Sequence, residues 1–109
     1  MKSDRDAELA LRREAKAEKA VIDARLFDIH RIACEQFALP DAREAVRHRA
    51  QSQVDQWEQG HLCSPSYIAA WKRILGLDPK DFQAEVLRTD AEGVALRQNT
   101  PFGFLANGI

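Results

Sequence analysis

Apolar positions recur at three- and four-residue spacing along nearly the whole chain, and no stretch alternates with the period of two expected of a strand. Leu11, Ala15, Ile22, Leu26, Ile29, Ala33 and Phe37 fall within about 80° of arc at 100° per residue. They make one continuous stripe, widened on one side by Val21 and Ile32. Ser3-Asp4-Arg5-Asp6 has the shape of a capping box, and Leu39-Pro40 ends the run because Pro disfavours helical geometry in the residue before it. A long first helix over 1–38 is predicted. The second starts at a capping box, Asp41-Ala42-Arg43-Glu44, carries Val46, Ala50, Val54 and Trp57 inward, and takes Gly60 as its C-cap.

Ser64-Pro65 reads as N-cap plus first helical residue of a third helix, with Ile68, Trp71, Ile74 and Leu75 facing inward before Gly76 stops it. Trp57 and Trp71 then pack helix two on helix three. Asp78-Pro79-Lys80-Asp81 starts a short fourth helix that buries Phe82 and Val86 or Leu87. Thr89-Asp90-Ala91-Glu92 is a further capping box leading into Val94–Gln98, with left-handed Asn99 as the stop. Thr100–Ile109 has no helical period but carries Phe102, Phe104, Leu105 and Ile109, so an irregular tail that packs down is expected. The pattern predicts an all-α single domain over 1–109: four to five helices, with a helical core at 41–99 and a tail at 100–109.

A chain of 109 residues has surface enough for one core and not two. Sixteen Lys plus Arg against seventeen Asp plus Glu leave a formal charge of −1. That removes the strong global field of avid nucleic-acid binders, so any basic patch must be local. Within 1–38 the signs are evenly mixed, the pattern of a solvated helix. No stretch approaches the roughly 20 apolar residues of a membrane span, and the charged amino terminus is unlike a secretory signal. The chain reads as cytoplasmic, without a membrane partner. Cys34 and Cys63 read as small buried hydrophobes and not as a disulfide.

Catalytic constellations are scarce. His30, His48 and His61 stand apart from any cluster of metal-ligand spacing, Ser64 is claimed as a helix cap, and the glycines stand singly where helices end or turns occur. No catalytic residue, metal or cofactor is expected, and the chain reads as a binding protein.

Gln51-Ser52-Gln53-Val54-Asp55-Gln56-Trp57-Glu58-Gln59-Gly60, followed by Pro65, Trp71, Leu75-Gly76-Leu77 and Asp78-Pro79, resembles the back half of the helix-turn-helix domain of the phage Cro and lambda-repressor-like family. The likeness covers about Ala50–Phe82. Where that family has a tight turn with Gly before its recognition helix, this chain has Arg47-His48-Arg49-Ala50. The resemblance implies that Gln51, Ser52, Gln53 and Gln56 face bases in the major groove, where Gln bonds adenine bidentately, and that Arg43, Arg47 and Arg49 hold phosphates. Glu44, Asp55 and Glu58 on the same stretch would repel a phosphate unless turned away.

A second function comes from the first helix. At 1.5 Å per residue it spans roughly 50 Å, against a radius of gyration near 13 Å for a compact domain of this size. It must protrude, bend or find a partner. The stripe grows heavier from Val21 onward, where packing on the domain is expected, leaving Leu9, Leu11 and Ala15 for a second copy or another protein's helix. Lys19 and Arg25 interrupt a heptad seam, so a long coiled coil is not expected. The leading expectation is a small bacterial or phage-type transcriptional regulator that binds double-stranded DNA as a homodimer through Gln51–Gln56; the alternative is a non-enzymatic protein-interaction module without DNA contact.

Overall fold

The structure, a computed structural model, describes residues 4–108, with side chains to Ala106. It is all-α, with five helices and no strand among the described residues: α1 Asp4–Ala38, α2 Pro40–Gly60, α3 Pro65–Leu75, α4 Pro79–Val86 and α5 Ala91–Gln98. A 3-10 helix, Gly103–Gly108, closes the chain. The segment expected to be irregular is thus largely helical. Ser3, the proposed first cap, and Ile109 lie outside the described residues.

The carboxyl-terminal part of α1 is the central element, and α2, α4, α5 and the closing 3-10 helix all pack on it. Ile29, Ala33, Cys34 and Phe37 of α1 meet Ala50 and Val54 of α2, Trp71 and Ile74 of α3, and Phe82 and Val86 of α4 in one cluster. At its centre lies Phe102, fully buried between the last α-helix and the 3-10 helix. Its ring stands edge-on to Trp71 at 5.7 Å and to Phe82 at 5.8 Å, while Phe37 and Phe82 stack at 3.8 Å. Cys34 is buried, and that burial pushes its thiol up to about 12, so it packs as a hydrophobe and stays protonated.

Several helix ends differ from the sequence expectation. The N-cap of α2 is Leu39 in extended conformation with Pro40 next, and no side chain caps it. Asp41–Glu44 already lies inside the helix, and the Ala42 and Arg43 N–H groups bond the Leu39 carbonyl at 3.1 and 2.9 Å, while Pro40 has no N–H to satisfy. Gly60 is the last residue of α2, and His61 takes the left-handed turn at φ 53°. The glycine serves a close approach instead: a Cβ on it would stand 3.1 Å from Cγ of Leu62. Gly76 ends α3 without leaving the right-handed region, and Asn99 ends α5 at φ −116°, so neither uses left-handed geometry. Ser64 precedes α3 but bonds the Ser66 hydroxyl at 3.1 Å in place of the helix. Asp78 caps α4 by accepting the Asp81 N–H at 2.8 Å. For α5 the cap is Asp90, one residue later than Thr89, accepting the Gly93 N–H at 2.9 Å.

Gly93 is the tightest glycine of the fold. A Cβ there would strike the Arg88 carbonyl oxygen and lie 2.7 Å from its carbon, and Arg97, itself buried, donates to that same oxygen at 2.6 Å. Gly93→Ala is expected to cost about 1–3 kcal/mol by overpacking, whereas Gly103→Ala, with nothing within 4 Å of its added carbon, should stay within about 0.5 kcal/mol. Paired urea melts of the two variants measure the difference.

Candidate functional site

The amino-terminal part of α1 leaves the body altogether. The molecule measures 62 × 29 × 25 Å with a radius of gyration of 16.9 Å, well above the roughly 13 Å of a compact domain. Every side chain from Asp4 to Ile22 is exposed. Leu11 is 65% exposed, Val21 62%, Ile22 57% and Leu9 40%; Ala15 is exposed as well. Packing on the body was expected from Val21 onward, but it begins at Asp23, which accepts a hydrogen bond from Gln98 at 3.3 Å, and at half-buried Leu26. The domain is too narrow to cover the helix any further. Val21 and Ile22 thus join Leu9, Leu11 and Ala15 on the free arm, and only the reach of the fold reveals it.

On α2 the residues assigned by the helix-turn-helix resemblance have several fates. The helix runs without a turn through Arg47-His48-Arg49-Ala50. Arg43 donates through Nε to the Phe37 carbonyl at 2.6 Å, closing the end of α1. Arg47 donates through Nε to the Leu75 carbonyl at 2.7 Å, also reaches the Leu77 carbonyl, pairs with Glu44, and lies over the Phe37 ring. Both guanidiniums satisfy helix-end carbonyls that sequence offers no way to anticipate. Gln51 is half-buried and donates to Asp55 at 2.9 Å.

Arg49, Ser52, Gln53 and Gln56 stay together on one face. They line a cleft of about 520 Å³ between α2 and the closing 3-10 helix, with Trp57, Thr100, Pro101 and Phe104 as the other walls. Trp57, expected in the core, is half-buried here; Trp71 is fully buried as expected. The Arg49 guanidinium rests over the Phe104 ring at 4.3 Å and makes no ion pair among the described residues. Phe104 carried no sequence signal for this role, because its neighbour in space is more than fifty residues away.

His30, read as one isolated histidine among three, is buried in the core. Its Nδ1 must donate to the Leu26 carbonyl at 2.6 Å, since that oxygen can only accept, which leaves Nε2 as acceptor for the Thr100 hydroxyl at 2.7 Å. Burial, with a smaller contribution from the nearby Arg97 charge, lowers its pKa to about 4. Among the described residues no three His, Cys, Asp or Glu side chains are grouped to hold a metal ion, and no helix is long and apolar enough to cross a membrane. No family model, curated protein or solved structure matches the chain.

Proposed function

We propose that the protein is a non-catalytic interaction module that pairs with a second copy of itself through the free arm of α1. The arm carries this reading: Leu11 and Ile22 are more than half exposed on the face that, further along the same helix, becomes the buried stripe of the core. Burying a side chain of this kind contributes about 1.5–3 kcal/mol, and most helical stability in proteins comes from packing of an amphipathic face.

The shape of the monomer sets the orientation. The body sits on the same face of α1 as the arm's stripe, so two arms laid side by side in parallel would drive their bodies into one space. Antiparallel arms put the bodies at opposite ends. The register that sets Leu11 against Ile22 of the second copy lays each edge of the stripe along the same edge of its partner. The edges oppose it: Arg12, Lys16 and Lys19 on one side and Glu14 and Glu18 on the other each meet like charges in this arrangement. The dimer is accordingly weak at low salt and strengthens as salt screens those edges.

DNA binding has the opposite dependence, since phosphate contacts weaken with salt. With Arg43 and Arg47 engaged by carbonyls, Arg49 is the free member of the expected phosphate trio, and the observations favour the self-associating module. Light scattering across protein and salt concentrations is expected to show mass rising toward a dimer as salt increases. Leu11→Ser together with Ile22→Ser should leave a monomer with an unchanged helical body. A monomer at all concentrations, with a low-salt duplex library enriching one sequence whose binding falls as salt rises, would put the regulator in its place.

A further inference from the structure

We infer that the cleft between α2 and the closing 3-10 helix is a binding site for a small aromatic carboxylate. The cleft holds about 520 Å³, within the usual range for small-molecule sites. Its lining contains one cation, Arg49, and no acidic residue, whereas three further clefts among the described residues each include a glutamate.

The cation is available. Arg49 has no carboxylate partner among the described residues; its guanidinium carbon rests 4.3 Å from the centre of the Phe104 ring, and a guanidinium can grip a carboxylate with two parallel hydrogen bonds. A single guanidinium with no second cation matches a monoanion better than a phosphate dianion.

The rest of the lining fits an aromatic body. Trp57 and Phe104 are half-buried, so each presents part of a ring to the cleft. Ser52, Gln53 and Gln56 make no hydrogen bond among the described residues and can serve polar substituents on the ring. Thr100 is different: its hydroxyl is taken up by His30 and by the Phe102 N–H, so it forms a wall.

The test uses the full chain, with indole-3-acetate and phenylacetate as probes, their uncharged amides as matched controls, and inorganic phosphate as a second anion. Amide NMR shifts are expected to saturate with either carboxylate, confined to α2 around Gln53–Trp57 and to the segment after Thr100. Arg49→Ala should weaken binding at least about tenfold, with the spectrum of the body otherwise unchanged because Arg49 is exposed. The amides should bind at least about tenfold more weakly than the acids. Absence of saturation at about 10 mM, where even a millimolar site would be nearly full, overturns the inference. Amides binding as well as acids, phosphate binding as tightly as either carboxylate, or binding indifferent to Arg49→Ala would each overturn it too.

Discussion

Phe102→Ala is expected to destabilise the protein by about 3–5 kcal/mol, as large an effect as any single truncation in the core. The residue lies outside every α-helix, yet its ring is fully enclosed and contacts rings from three different helices: Phe37 of α1, Trp71 of α3 and Phe82 of α4. Removing it opens a cavity where these helices meet, and the stacked Phe37–Phe82 pair cannot collapse into the space without giving up its own contact. Trp71→Ala belongs to the same class. It loses the indole and also a hydrogen bond from Nε1 to the Asn99 carbonyl at 2.6 Å, which anchors the chain just before Phe102. Urea denaturation followed by far-UV circular dichroism measures both. A loss under about 1 kcal/mol for Phe102→Ala would mean that the closing segment is not part of the cooperative core.

Acid is expected to remove about 3 kcal/mol of stability through His30 alone. In the folded protein its pKa is about 4, against 6.5 when unperturbed. The unfolded chain therefore takes up the proton first as pH falls. The stability is fully present above pH 6.5, declines between 6.5 and 4, and is gone below that. The geometry gives the same sign. The neutral ring accepts from the Thr100 hydroxyl, and that hydroxyl accepts the Phe102 N–H at 3.0 Å. A proton on Nε2 would have to be donated toward the same oxygen, leaving the hydroxyl hydrogen without its acceptor and loosening the segment that seats Phe102. The Asp90 carboxyl is held low mainly by the Gly93 N–H, and its contribution is lost only below its ordinary value of 3.8, so the two windows separate. Stability measured by urea melts from pH 7.5 to 4 should show this slope in the native protein and a flattened one in His30→Leu. An unchanged slope in the variant would assign the acid sensitivity elsewhere.

The arm and the cleft were unequally legible. The length of α1 and its charge mixture already demanded a protruding or partnered helix, because no domain of this size can cover roughly 50 Å of helix. Where the arm ends depends on the width of the body, so Val21 and Ile22 were misplaced. Arg43 and Arg47 read as free cations because a sequence does not show which carbonyls are left open where α1 and α3 end. Their guanidiniums meet those carbonyls in space, Arg47 across twenty-eight positions of chain to Leu75.

Local chemistry settled a good deal by itself. The spacing of apolar residues determined four to five helices, their order and most of the buried face, since a helix period of 3.6 is written into neighbouring positions. Pro65 and Pro79 marked two helix starts and Pro40 the end of the first helix, because proline constrains its own backbone and that of the residue before it. Tertiary structure decided what depends on distant partners: that Phe102 is central, that His30 is neutral and buried, that Trp57 faces a cleft, and that Arg49 is the cation left over. Each of these follows from groups far apart in the chain competing for one interior, where burial and hydrogen bonding are set by the closed fold and not by adjacent residues.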